Sequence, residues 1–316
     1  MREARGEGEI GVGGNAAMKL YAQYRKNKSD AVFDLAVNLF LIISLMIVAY
    51  PLIYVVSASF SSPKAVISGR VWLLPEDPTP LAYEAVFKNS NILTGYANSI
   101  IYAVLGTLIN LVLTMLAAYP LSRRNFFGKE IFTGIFIFTM LFSGGLIPTY
   151  LVVNKLGLIN TRLSMILPGA MSVWNVILTR TYLQSTIPEE MYEAGSLDGC
   201  SIYKALWHIT IPLSGPIMAV VALYCAVGSW NSYFDALIYL SKRELFPLQI
   251  VLRNILIVNQ IDASMVVDIK EIARKQGMIN ILKYSVIVVS SIPLIAFYPF
   301  IQKYFVKGIM IGSLKG

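Results

Sequence analysis

Apolar runs long enough to cross a lipid bilayer alternate with polar stretches along most of the chain. About 20 apolar residues carry a helix through roughly 30 Å of hydrocarbon. Six runs meet that length: Ala31–Val56, Asn98–Tyr119, Ile131–Val152, Leu163–Leu183, Leu213–Phe234 and Ile279–Ile301. The pattern predicts an all-α, polytopic membrane protein with six transmembrane helices. The third run is interrupted by Ser143-Gly144-Gly145-Leu146-Ile147-Pro148, which should end or break its helix near one face. A polar segment, Gln184–Pro212, lies between runs four and five.

The connecting segments set the orientation. Residues 1–31 form a glycine-rich polar tail that runs into Arg25, Lys26 and Lys28, with Met18 as an alternative start. The tail is too long and mixed for a cleaved signal peptide. The far flank of the first run, Ser57–Pro63, carries no charge. Basic residues stay on the cytoplasmic side, so the N-terminus is expected inside. The short loop with Arg123, Arg124 and Lys129 is then also inside, and six crossings return the C-terminus, with Lys303, Lys307 and Lys315, to the cytoplasm. Ser57–Tyr96 and Asp235–Met278 become polar outer loops, the first rich in proline and carrying Trp72.

Composition narrows the function. The 316 residues are 56% hydrophobic and 14% charged, well below the roughly 25% charged of soluble domains. The net charge of +8 suits inner loops facing anionic lipid, and no basic stripe interleaved with aromatics points to nucleic acid. The single histidine, His208, excludes a histidine-rich metal site, and no GxxxxGK[ST] loop binds ATP. Cys200 and Cys225 fall in a polar loop and a span, so they are not expected to pair. The cores of runs two to six lack Asp, Glu, Lys and Arg, whereas ion-coupled carriers keep such groups at mid-membrane. Energy must therefore enter elsewhere.

Glu193–Pro216 offers the entry point. Ile187-Pro188-Glu189-Glu190 starts a helix: proline is tolerated in the first turn, and carboxylates there face the positive end of the dipole. Asp198-Gly199 stops it, with Gly199 suited to a left-handed residue. Ser201 can cap a second helix, Ile202–His208. The expectation is a rigid helix–turn–helix exposed in the cytoplasm, with His208 as a surface or docking residue.

Glu193-Ala194-Gly195, three residues, Gly199, nine residues, Ile209, one residue and Ile211-Pro212 resembles the EAA loop (EAA-x3-G-x9-I-x-L-P) of bacterial ABC-importer permeases. Asp198-Gly199 matches the usual DG pair. The departures, Gly195, Cys200, Leu206 and Ile211, are small or apolar exchanges, and glycine at 195 costs up to about 1 kcal/mol of helix propensity relative to alanine. The resemblance covers residues 95–306, the five-helix type I importer core, with EAA loop 184–216. Residues 32–94 supply an added helix and outer loop, and 307–316 a cytoplasmic tail. Trp230-Asn231 resembles sugar permeases. Ser143–Tyr150 resembles the subgroup that handles oligosaccharides from complex polysaccharides, acidic ones such as alginate or pectin fragments included.

The resemblance implies a transport subunit of the inner membrane, not an enzyme. A second homologous permease would complete the pore. Two ATP-binding cassette subunits would hold ATP and Mg, while this chain binds no cofactor, and an extracytoplasmic solute-binding protein would deliver the oligosaccharide. Glu193, Ala194, Gly195, Asp198, Gly199, Ile209 and Pro212 would couple the pore to the ATPase. Sugars need aromatic faces and amide or hydroxyl partners, which makes Asn110, Asn175, Trp230, Asn231 and Tyr233 pathway candidates. The bland alternatives are interhelical hydrogen bonds for the asparagines and an interfacial anchor for Trp230. Outer-loop Arg243, Arg253, Lys270, Arg274 and Lys275 could meet an anionic sugar, but Asp262, Asp268 and Glu271 make a mixed solvated face. Rival readings are a permease for a polyol or amino acid and an ion-coupled secondary carrier.

Overall fold

The computed structural model describes residues 28–257 and 269–313. Most of the N-terminal tail, together with Asp262, Asp268 and Lys315, lies outside the described residues. Every regular element among the described residues is helical. Helix α1, Lys28–Phe60, has 33 residues with apolar side chains exposed all round. Such a helix is stable only in lipid or against a partner. Its end is held to the body: Ser59 and Tyr83 share a hydroxyl hydrogen bond of 2.7 Å, and Ser285 Oγ donates to Ser59 O at 3.2 Å. The segment that follows, expected as an outer loop, is folded rather than open. It carries α2, Pro63–Ile67, capped by Ser62, and α3, Leu81–Lys88.

Helix α4, Ser90–Ser122, is the axis of the molecule. Thirty-three residues span about 50 Å. Its buried positions are largely small or polar, among them Gly95, Asn98, Ser99, Gly106, Asn110 and Thr114. Small residues let neighbouring backbones approach in a membrane, where apolar burial alone gives no drive to associate. At Gly95 an added Cβ would lie 3.2 Å from Leu248 Cα.

The spans are more broken than the apolar pattern suggests. The third divides into α5, Lys129–Leu141, and α6, Leu146–Lys155, bent by 109°, with Gly145 at φ +87°. The break expected at Ser143–Pro148 is therefore present. The fourth is not one helix. It begins with α7, Leu163–Ile166, is irregular through 167–172, and resumes as α8, Val173–Thr186. Pro168 lacks an N–H for the helix ladder, and Gly169 beside it is a poor helix former, so an apolar run need not be a continuous helix.

Helix α9, Glu189–Leu197, and α10, Ile202–Ala205, lead through a wide π turn, Leu206–Thr210, to α11, Ile211–Leu213. Helix α12, Gly215–Trp230, then turns by 79° from that segment. The fifth span thus starts at Gly215 and ends at Trp230, short of Phe234, and Tyr233–Tyr239 forms a separate α13. Among the described residues, three helices are long and apolar enough to cross a membrane, or up to five crossings if each bent pair counts as one. The expected crossing at 163–183, in two pieces, is not among them.

The segment expected as a second outer loop also departs from a simple polar loop. Its first half folds back onto α4 through a 3-10 turn, Arg243–Leu245, and α14, Leu248–Ile257. Asn98 Nδ2 donates to Glu244 O at 2.7 Å, Tyr102 OH donates to Leu245 O at 2.8 Å, and the Leu248 N–H donates to Ser99 Oγ at 2.9 Å. Leu248, Val251 and Leu252 are buried beside Ile92 and Trp230. Hydroxyls and amides on α4 thereby satisfy the backbone of a segment that apolarity alone would not place. Helix α15, Ile269–Ser313, closes the described fold against α1, α2, α3 and α12.

Candidate functional site: a coupling loop and a polar cavity on one helix

The two-helix loop is built against the C-terminal end of α4. Tyr192 and Leu206 are buried among Met115, Tyr119, Leu183 and Ile187. Arg123, just past the end of α4, reaches the start of α9: its guanidinium lies 2.9 Å from Glu189 Oε1 and 3.5 Å above the centre of the Tyr192 ring. Both charged side chains are largely covered, at 22% and 15% exposed. Such a charge-assisted contact is stronger than a surface ion pair. Tyr119 OH donates to Ile202 O at 3.1 Å, and the Tyr192 and Thr210 hydroxyls are 3.0 Å apart. Both helices of the loop are therefore tied to α4 and to each other.

The stop between them is fully bonded. The Cys200 N–H donates to Gly195 O at 2.9 Å and the Gly199 N–H to Ser196 O at 3.1 Å. That pair of bonds closes a Schellman motif around Gly199, whose φ of +74° is the left-handed value the Asp198-Gly199 pair predicts. Ser201 Oγ then accepts from the Lys204 N–H at 3.4 Å, as a cap does. The second helix departs from the expected Ile202–His208. It is α-helical only to Ala205, and the Ile211 N–H reaches five residues back to Leu206 O. Pro212 cannot donate, and its ring would crowd the carbonyl of His208 in a regular turn. Widening the turn relieves that clash.

Motif residues divide into structural and exposed groups. Gly199 shapes the turn. Gly195 faces Ile209: a Cβ there would lie 3.1 Å from Ile209 Cδ1, so the glycine that departs from the EAA pattern makes room for the motif's own isoleucine. Glu193, Ala194, Asp198 and Pro212 are exposed, as is His208, whose Nδ1 lies 3.1 Å from Lys204 O. Large apolar side chains are exposed beside them. Leu197 is 89% and Tyr203 80% exposed, with Ile202 and Trp207 open as well.

Further along α4, a cavity of about 440 Å³ opens between α4, the break in span four, α12 and α13. Asn110 and Asn175 meet at its wall. Asn175 Nδ2 donates to Asn110 Oδ1 at 3.4 Å and lies 3.4 Å from Cys225 Sγ, while Asn110 Nδ2 donates to Gly169 O, also at 3.4 Å. Thr114 Oγ1 donates to Asn110 Oδ1 at 3.1 Å. Ser229, Ser232, Trp174, Tyr224 and Asp235 complete the polar and aromatic lining. Asp235 is reached by solvent at the rim, but the crowding wall raises its carboxyl pKa above the ordinary value by desolvation.

Of the five pathway candidates, the structure brings only Asn110 and Asn175 together. Trp230 faces elsewhere. It is 4% exposed, its Nε1 donates to Ser290 O at 3.2 Å, and its ring meets Tyr96 edge-on at 5.5 Å. A tryptophan so enclosed packs α12 against α4 and α15. Asn231 is exposed outside the cavity wall, where its Oδ1 accepts from Gln249 Nε2 at 3.5 Å. Tyr233 packs beside Ala236, Leu240 and Ile250, with the Arg253 guanidinium 5.8 Å from its ring.

A coupling-loop pattern on a bundle of apolar helices has counterparts among known proteins. Residues 110–311 match the family of binding-protein-dependent transport system inner membrane components. The chain belongs to that family. It is similar to Protein LplC of Bacillus subtilis (strain 168), 39% identical over 92% of this chain and 97% of that protein. It is also similar to the polygalacturonan/rhamnogalacturonan transport system permease protein YtcP of the same organism, 37% identical over 91% and 99%. Among solved structures it resembles a chain of a bacterial ABC transporter involved in the import of the acidic polysaccharide alginate. The TM-score there is 0.80 at 36% identity, over 88% of this chain and 98% of that one. The likeness reaches well beyond residues 95–306.

As a member of this family the chain is a membrane-embedded transport component, not an enzyme. Among the described residues, no cluster of His, Cys, Asp and Glu could hold a metal ion. Sequence reasoning passed over the residues that build the two sites around the motif. Arg123 was visible only as a loop cation, and nothing in its neighbours announces Glu189. The cavity had a fainter signature. Gly106, Asn110 and Thr114 recur every four residues on α4, and Cys225, Ser229 and Ser232 recur at helical spacing toward Asp235. Such polar stripes on otherwise apolar helices mark a face turned away from lipid.

Proposed function

We propose that this chain forms half of the pore of an oligosaccharide importer and is moved by ATP hydrolysis on partner subunits docked at Glu189–Pro212. The observation that carries the reading is the loop itself. It is tied to the central helix by Arg123 and presents Leu197, Ile202, Tyr203 and Trp207 uncovered. Exposed apolar groups rimmed by polar ones fit a protein partner. Glu193, Ala194, Gly195, Asp198 and Gly199 would lie in a cleft of an ATP-binding cassette subunit that carries ATP and Mg, with Ile209 and Pro212 bracing them. A second permease completes the pore and an extracytoplasmic binding protein delivers substrate. The loop and both termini face the cytoplasm, as the basic flank of α1 indicates.

Such a loop transmits work only if it contacts the open and closed ATPase differently. Movement of α9 then reaches α4 through the Arg123 contacts. The cargo reading, an oligosaccharide cut from a complex polysaccharide, is supported by the names of the relatives and of the structural neighbour.

The test is Gly199→Trp in the reconstituted importer, with Gly199→Asn as the variant that tolerates a left-handed residue. ATP hydrolysis stimulated by loaded binding protein should be lost in the first and retained in the second. Unchanged stimulation in Gly199→Trp counts against the docking role.

A further inference from the structure

The cavity beside the break at residues 167–172 has a chemical character of its own. Irregular backbone at membrane depth persists only where it is buried in protein or lines a water-filled space. Residues 167–172 meet that condition: Pro168, Gly169 and Ser172 line the cavity, and Asn110 takes up Gly169 O. Discontinuous helices mark substrate sites in membrane transporters for the same reason.

The walls match the two kinds of surface a sugar offers. Asn110, Asn175 and Ser229 present amides and a hydroxyl that both donate and accept, as sugar hydroxyls do, while Ser164 and Ser232 donate to Thr161 O and Ser229 O and leave only acceptor lone pairs. Trp174, 59% exposed, and Tyr224 offer aromatic faces to C–H groups. The two amide-to-oxygen contacts, Asn110 to Gly169 O and Asn175 to Asn110 Oδ1, are both 3.4 Å, longer than the usual 2.9–3.0 Å for N–H···O. Long, shared bonds are readily exchanged for bonds to a ligand. The volume of about 440 Å³ falls within the roughly 300–1,000 Å³ of small-molecule sites.

Charge then selects among sugars. Asp235 carries the only charge among the described residues that line the cavity, and no lysine or arginine accompanies it there. An ionised carboxylate only accepts hydrogen bonds, so it pairs with hydroxyl donors and repels a second carboxylate. We propose that this cavity is a saccharide subsite that takes the hydroxyl face of an uncharged sugar unit and turns away a uronate carboxylate. The proposal rests on the oligosaccharide reading above. It adds that any acidic unit in the cargo passes with its carboxylate directed away from Asp235.

The experiment uses the complete importer in liposomes, with trigalacturonate and its methyl ester as probes. The binding protein is the same throughout, so a change in their uptake ratio between variants reports on the permease. Asp235→Asn is expected to raise acid-to-ester uptake about tenfold, and Asp235→Glu to keep the wild-type ratio. Asn175→Ala is expected to raise the half-saturating concentration of both probes about tenfold, and an unchanged value with the complex assembled also overturns the subsite. An unchanged ratio in Asp235→Asn, with the complex assembled, overturns the subsite. If the wild type takes up neither these probes nor neutral oligosaccharides of the same length, the oligosaccharide reading fails first.

Discussion

The coupling loop and the cavity are served by the same helix but built by opposite means. At the C-terminal end of α4, the loop is held by short, directed contacts: 2.9 Å from Arg123 to Glu189, 3.5 Å from Arg123 to the Tyr192 ring, and 2.9 Å closing the turn at Gly199. Two turns and more away, the cavity is walled by small side chains and amide contacts of 3.4 Å around a broken span. An element that must deliver movement has to be stiff. A surface that must take and release a hydrated ligand has to exchange its hydrogen bonds without large cost. One helix carries both because Met115, Tyr119 and Leu121 pack against the loop at its C-terminal end, while Gly106 and Asn110 leave polar space along the cavity.

The sharpest way to break this contrast is to loosen the stiff end. Arg123→Ala removes a charge-assisted hydrogen bond and a cation–π contact, and should cost about 2–3 kcal/mol in denaturant unfolding. Because both contacts share Arg123, the double variant Arg123→Ala/Glu189→Gln should cost less than the sum of the single variants. Additive losses would mean that the pair does not act as a unit.

The loop was legible in the sequence because its physics is local. Proline before carboxylates, Asp198-Gly199 and Ser201 each specify a backbone state within a few residues, and the structure places a helix start, a left-handed turn and a cap at those positions. The all-helical fold was legible for a similar reason, since apolar length alone demands helices in lipid. The break at 167–172 was not, because the run Leu163–Leu183 stays apolar and only Pro168-Gly169 disturbs it. Nor was the return of Arg243–Ile257 onto α4. That depends on Asn98, Ser99 and Tyr102 meeting backbone groups more than 140 residues away. Trp230 misled for a related reason. Its sequence neighbours suggested a pathway, whereas its burial is decided by Tyr96 and Ser290 on other helices.

A subtler change sharpens the account of the loop's stiffness. Gly195→Ala gains about 1 kcal/mol of helix propensity but sets a methyl group 3.1 Å from Ile209 Cδ1. The two effects should nearly cancel in thermal unfolding. With Ile209→Val as well, the alanine should become stabilising relative to glycine in the same background. If Gly195→Ala is equally stabilising with either residue at 209, the close approach has no energetic weight.

The smallest effect belongs to the looser region. Burial raises the Asp235 carboxyl pKa, so ionisation weakens the fold at neutral pH. That penalty disappears once the pH falls below the ordinary carboxylate value, about 3.9. Asp235→Asn should therefore raise the Tm slightly at pH 7 and lose the advantage toward acid pH. A gain that persists below that value would assign the effect to packing instead.

The central claim is that Glu189–Pro212 is the handle on which an ATPase pulls. Site-specific cross-linking from Asp198→Cys, with Cys200→Ser and Cys225→Ser, tests it most directly, because Asp198 is exposed at the tip of the turn. In the assembled importer, cross-links to the ATP-binding subunit should form, and their yield should change when ATP binds. Absence of any cross-link to that subunit, with and without nucleotide, would contradict the account.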